Sequence, residues 1–404
     1  MAITSLSFAT PLRRLPAPRR LDYGLLEAAM AHAEAGATGD AVAGVLGHLF
    51  PDAPVPDLTA GPFAFVQGSS RVTVALDGDA LAVTVPLVTL AGARNPVAAL
   101  RYILTTVAGS GQLYQPRLRG DDITLEFRDK LSRMHPAKLL EVLRQMPVEA
   151  DRVDDWLETE FGARPLERAP ITPLDDAEAA AADALWRSHW ADVEELVKES
   201  QRRRSVFFLN EVTALALFRV QFALPVCGVL AAQLTESAGT WNDGQQDPTK
   251  REASLARCAR DMAALPAATL RANLGHAAYA LAPLAPGEAA TLTSYFGGGD
   301  YLSAIDKYRT SGRSFEATLA LWSSTTYLLA RYAWPPETAA ALMGALAAAS
   351  GKPWREASAV LWDKLRAVAE LFGADAADGV GPDDDDDDDD DDGDDDDRRA
   401  EDDR

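Results

Sequence analysis

The side chains best suited to catalysis or metal binding are few and far apart in this sequence. Five histidines stand at His32, His48, His135, His189 and His276. No two fall in a His-Glu-x-x-His or His-x3-His spacing, the patterns that bring two imidazoles to one metal ion. No metal site is expected. Cys227 and Cys258, 31 positions apart, are too few for a disulfide framework and lack the short paired spacings of a zinc site. They read as small buried thiols in a reducing cytoplasm. The chain also lacks a Gly-x-Ser-x-Gly elbow, a Gly-x4-Gly-Lys-Ser/Thr phosphate loop and a strand followed by Gly-x-Gly-x-x-Gly. No cofactor and no catalytic residue is therefore assigned.

What remains is a set of single features, each with an ordinary structural reading beside a functional one. His189 lies between Trp186 and Trp190 on an apolar helical stripe, where a packed, hydrogen-bonded imidazole is expected. Glu211 and Arg219 sit inside an apolar helix and must be paired if buried, because an unpaired buried charge is costly. These three are the residues an unrecognised active site would use. Gln201 to Arg204 reads as a basic helix end, and Gly297 to Gly299 as a connection capped by Asp300. Late in the chain Trp322, Tyr327, Tyr332, Trp334, Trp354 and Trp362 cluster. Such aromatics suit core packing or a groove for a partner helix, with Trp322, Trp334 and Trp354 as candidate contacts.

Charge is distributed unevenly. The formal net charge is −22 over 404 residues, and residues 383 to 404 hold 17 acidic and 3 basic side chains, which is −14 and leaves −8 for the rest. Asp383 to Asp392 and Asp394 to Asp397 repel one another and have nothing apolar to bury, so 375–404 is expected as a disordered acidic tail. It would solubilise the chain, recruit a basic partner, or fold back on Arg13 to Arg20 or Arg202 to Arg204. The acidic total argues against nucleic acid. Residues 1–20 carry Arg13, Arg14, Arg19 and Arg20 with no acid and three prolines, and read as a disordered basic arm. The most apolar stretch, Val212 to Leu234, is broken by Arg219, Gln221 and Pro225, so no membrane span is expected and the protein is placed in the cytoplasm.

Hydrophobic periodicity then supplies the elements. In 21–162, helical spacing over Leu25 to Phe50, with a break at Gly36 to Asp40, precedes three alternating runs, Phe63 to Gln67, Val72 to Leu76 and Leu81 to Leu87. Gly68-Ser69-Ser70 and Asp77-Gly78-Asp79 turn them into a meander. Asn95-Pro96 opens a helix to Val107, a hairpin turns at Gly120-Asp121, and a helix from Pro136 to Phe161 closes the unit with Pro147 expected to kink or split it. One sheet face packs inward. The other carries Thr73, Ala75, Ala82, Thr84, Thr124 and Glu126, mostly small or β-branched residues that suit self-association or a client segment.

This order of helix, three strands, helix, two strands, helix, closed by "EADRVDDWLETEFG" over Glu149 to Gly162, resembles the class I type III secretion chaperone-like fold and its YbjN-type relatives. The resemblance implies a non-enzymatic, usually dimeric module that grips another protein. It covers about a third of the chain. Residues 163–178, with Pro165, Pro170 and Pro173, read as an exposed linker, and 179–374 as an all-α helical bundle. The expected fold is thus an α+β domain followed by a helical bundle and a tail. The expected function is a protein-binding adaptor or chaperone, with a scaffold subunit or an enzyme of the helical half as alternatives.

Overall fold

Asn95, Gly162 and the tight hairpin turns fix element boundaries where the sequence places them. The computed structural model describes residues 3–14, 22–107, 111–203, 206–242, 245, 247–281 and 284–377. The first half comprises α1 (Tyr23–Glu34), α2 (Thr38–Leu49), β1 (Phe63–Gly68), β2 (Ser70–Asp77), β3 (Ala80–Thr89), α3 (Pro96–Thr106), β4 (Gln115–Arg119), β5 (Asp122–Lys130) and α4 (Pro136–Phe161). The Asn95 side chain accepts from the Ala98 N–H at 3.2 Å with Pro96 in the first turn. Gly162, at φ +68°, ends α4 in the left-handed conformation that glycine favours. Pro147 does not split α4: it is buried inside one continuous helix.

The strands run antiparallel in the order β4-β5-β3-β2-β1, and α4 crosses the inner face. Alternate residues Val72, Val74, Leu81, Val83, Val85, Ile123, Leu125 and Phe127 pack there with Leu139, Val142, Leu143 and Met146 of α4 and with α2. Fully burying each such side chain contributes about 1.5 to 3 kcal/mol.

The second half is mostly helical: β6 (Arg164–Pro165), β7 (Thr172–Pro173), α5 (Asp176–Arg203), α6 (Val206–Ala223), α7 (Gly228–Asn242), α8 (Pro248–Ala263), α9 (Ala267–Ala272), β8 (Gly275–His276), β9 (Ala278–Tyr279), β10 (Ala285–Pro286), α10 (Ala289–Leu292), α11 (Gly299–Thr310), α12 (Ser314–Arg331), β11 (Tyr332–Ala333), α13 (Pro336–Ala349) and α14 (Trp354–Ala377). A separate hydrophobic cluster forms around α5, α6, α12 and α14, with Trp186, Trp190 and Trp322 fully enclosed. Among the described residues no helix is long and apolar enough to cross a membrane.

Four expectations need correction. The helical half is not free of strands: β9 pairs with β1, Gln67 opposite Tyr279, so it lends an edge to the sheet. A two-residue pairing has too few residues to show alternation, which is why the sequence carried no sign of it. The stretch 163–178 is not an exposed linker. β6 pairs with β3, the Ala169 N–H donates to the Ser69 carbonyl at 2.7 Å, β7 pairs with β8, and Ala163, Ala169 and Leu174 are buried. Its prolines suit such edge pairing, which needs few N–H donors.

The basic arm is docked over residues 3–14. Leu6 is buried in the helical cluster, Ile3, Phe8 and Leu12 pack against it, and the Gly351 N–H donates to the Leu6 carbonyl at 2.8 Å. Burying these apolar residues and hydrogen-bonding their backbone outweighs the arm's lack of secondary structure. Asp300, finally, lies in the first turn of α11 rather than capping it, after Gly298 at φ +146°. The acidic tail from residue 378, and Arg19 and Arg20, lie outside the described residues.

Candidate protein-docking face

Period two decides what the sheet presents outward. Thr73 pairs with Thr84 and Thr84 with Glu126, while Ala75 pairs with Ala82 and Ala82 with Arg128. Thr73, Ala75, Ala82, Thr84, Thr124 and Glu126 thus stand on one face, half-buried, while their strand neighbours are buried on the other. The expected set comes together as a patch. Glu126 is held in place: it accepts from the Thr124 hydroxyl at 2.9 Å and pairs with Arg119 at 2.8 Å.

The aromatic candidates lie elsewhere. Trp322 and Trp334 are core residues, 1% and 5% exposed, and the Trp334 indole N–H donates to the Leu328 carbonyl at 2.9 Å. Neither presents a ring to a partner. Trp354 is half-buried, edge-to-face with Phe315 at 5.2 Å, and its carbonyl accepts from the Thr318 hydroxyl. The three do not form a groove: Trp322 is buried along α12, Trp334 lies in the connection between β11 and α13 and packs into the same cluster, and Trp354 opens α14.

Of the side chains reserved for an active site, His189 and Arg219 lie near one another and Glu211 lies apart. The His189 Nε2 is 2.9 Å from the Ala216 carbonyl, in full burial that holds its pKa well below the ordinary value. Arg219 does not pair with Glu211; it reaches Asp192 at 2.7 Å and the Ser7 carbonyl at 2.5 Å. Glu211 instead accepts from the Ser323 hydroxyl, and burial pushes its pKa up to about 7. None of the three lines the open pockets of about 680 and 360 Å³, which lie side by side around Thr38, Val42, Asp57 and Leu131. Among the described residues no cluster of His, Cys, Asp or Glu is arranged to hold a metal ion.

One constellation was missed. Asp151, Asp154, Asp155 and Glu158 recur at three and four residue spacing on α4, which puts them on one face. Asp151 accepts from the Ser69 N–H and, at 2.8 Å, from its hydroxyl, which also donates to Asp154 at 2.8 Å. Arg168 pairs with Asp155 at 2.5 Å and Glu158 at 3.2 Å. Burial, then the neighbouring Asp155 charge, raises the Asp154 pKa to about 7. No family model matches the chain, and no curated protein matches it. The acidic face therefore has to be judged on its geometry, and that geometry is a seam: it fastens the β1–β2 turn and the 163–178 strap to α4. The spacing of the four acids in a helix that buries its other face was the available signal.

The two thiols flank the same conclusion. Burial pushes Cys227 and Cys258 each up to about 11. Both should stay protonated at pH 8, so the native chain is expected to react with a disulfide reagent on the order of a hundredfold more slowly than the urea-unfolded chain. Stopped-flow absorbance of the released thiolate checks this; comparable rates would show a thiol exposed and activated.

Proposed function

We propose that this protein is a protein-binding adaptor of chaperone-like character that docks a partner, or a second copy of itself, on the outward face of its sheet. The observation that carries this reading is the breadth of that face: β2, β3 and β5 present Thr73, Ala75, Ala82, Thr84 and Thr124 without a covering element among the described residues. Small and β-branched side chains let another backbone or helix approach closely. An element order of helices and strands like that of the class I type III secretion chaperones supports the same role, as does the distance of Glu211, Arg219 and His189 from the pockets around Thr38, Val42, Asp57 and Leu131. A cytoplasmic setting fits two free, unpaired cysteines.

The Ala82→Arg, Thr84→Arg double variant tests it. Outward positions usually change stability by only about 0.5 kcal/mol, so its urea midpoint should stay close to that of the parent chain. Sedimentation velocity and affinity purification with mass spectrometry should show a lost self-association or a lost partner. Retention of both the oligomeric state and every partner would move the docking site off the sheet.

A further inference from the structure

The acidic tail is drawn to counter-charge, and the described members of the basic runs visible in the sequence, Arg13, Arg14, Arg202 and Arg203, are already engaged. Arg13 donates to the Gln221 carbonyl at 2.7 Å, and Arg14 pairs with Glu178. Arg202 pairs with Glu199 at 2.5 Å; Arg203 pairs with Glu199 at 2.8 Å and Glu316 at 3.1 Å, and stacks on the Phe315 ring. The fold assembles another basic surface from three strands. Arg71 on β2, Arg117 and Arg119 on β4, and Arg128 on β5 share the outward face with Thr73 and Thr84, since Arg117 pairs with Thr124 and Arg128 with Ala82. Arg119 is paired with Glu126 and Arg128 with Asp77. Arg71 and Arg117 are exposed and have no acidic partner among the described residues.

We infer that the aspartate-rich segment 383–404 of the chain itself lies across this outward face, between Arg71 and Arg117. Charge favours it, because the segment carries −14 and an arginine pairs with carboxylates through a rigid fork of donors. Geometry favours it too. Arg71 and Arg117 stand three strand spacings apart, about 14 Å at roughly 4.8 Å each, which about four residues of extended chain span. Pro86 and Thr124 lie in the row between them, with Thr73 and Thr84 in the next, and these short side chains leave the floor low. The 27 residues after Ala377 reach about 90 Å when extended, several times the radius of gyration of about 22 Å expected for this length. The inference deepens the docking reading, on which it rests for the face, and makes the tail a competitor for whatever docks there.

The test uses full-length chains and a fluorescein-labelled peptide of residues 381–404. A chain with Asp383–Asp392 and Asp394–Asp397 changed to asparagine should bind the peptide, and raising NaCl from about 50 to 300 mM should weaken binding at least about fivefold. Adding Arg71→Gln and Arg117→Gln should weaken it at least tenfold, whereas Arg202→Gln should leave it unchanged; circular dichroism of each variant reports folding. The wild-type chain should bind at least tenfold more weakly than the asparagine-tail chain, because its own tail occupies the face. Equal affinity with and without Arg71 and Arg117, loss of binding in Arg202→Gln alone, equal affinity of the wild-type and asparagine-tail chains, or no binding overturns the inference. If the peptide fails while the Ala82→Arg, Thr84→Arg variant still loses its partner, the docking reading stands without the tail.

Discussion

Gly68→Ala should lower the unfolding free energy by about 3 kcal/mol, summing about 1 to 2 for a side chain in the left-handed conformation with about 1 to 3 for overlap. Gly68 turns β1 into β2 at φ +62°, and a Cβ there would fall 2.1 Å from the Asp151 carboxylate oxygens. Asp151 cannot move aside freely, because it accepts from the Ser69 N–H and hydroxyl in the next residue. The turn, α4 and the strap whose Ala169 N–H binds the Ser69 carbonyl should loosen together. Urea denaturation followed by tryptophan fluorescence measures the loss. Asp151→Ala added to Gly68→Ala should recover the overlap part, giving a double variant less destabilised than the sum of the singles. A Gly68→Ala chain within about 0.5 kcal/mol of the parent would show that the turn and α4 are not tightly fastened.

That seam also marks the limit of what could be read in advance. Alternation over Val72 to Leu76 and Leu81 to Leu87, glycine turns, and the Asn95-Pro96 start are local signals, and each element formed where its signal lay. The outward set Thr73, Ala75, Ala82, Thr84, Thr124 and Glu126 followed from period two alone. The misreadings share a different cause. Trp322 looked available because a helical stripe shows that one face is apolar without showing what covers it, and Trp334 because no local pattern shows where the connection after β11 packs; here the same cluster of helices covers both. The arm and the strap looked loose because their hydrogen bonds go to residues far along the chain, Leu6 to Gly351 and Ala169 to Ser69, and no local pattern encodes such pairs. The arginines of the outward face escaped for the same reason, since three strands each contribute one or two.

The two halves are consequently joined by backbone as well as by side chains. β9 from the helical half extends the sheet at β1, and the Gln67 amide brackets Leu281, its oxygen accepting from the Leu281 N–H at 2.9 Å and its nitrogen donating to the carbonyl at 3.3 Å. Leu281 in turn is buried with the first-half cluster. A partner docked on the outward face would meet a sheet whose far edge is held by the helical half, which gives docking a physical route to the rest of the molecule.

Stability should rise as pH falls from 8 to 6.5, by about 0.8 kcal/mol for each carboxyl whose pKa is about 7 in the folded chain and near 4 in the unfolded one. Asp154 and Glu211 are two such groups. The sign follows from proton counting: in this window the folded chain holds protons that the unfolded chain has already released, so each added unit of pH favours unfolding. Around Asp154 the facing groups are Asp151, Asp155, Ser69 and Arg168, and only the arginine opposes protonation by charge. Glu211 has the Ser323 hydroxyl as its hydrogen-bond donor, and burial dominates. His189 acts in the opposite sense as pH falls through about 6.5, since its folded pKa is held down by burial and by Arg219, so acid favours the unfolded chain through it. The two carboxyls should together contribute a climb of about 1.5 kcal/mol between pH 8 and 6.5, partly offset by His189, and the curve should go on climbing below pH 6.5 until the unfolded carboxyls protonate near pH 4. Urea midpoints across that range measure it, and Asp154→Asn or Glu211→Gln should each remove about half of the climb. A midpoint that stays level or falls over the same interval would mean that these carboxyls are ionised inside the folded chain, with counter-charges that the described contacts do not provide.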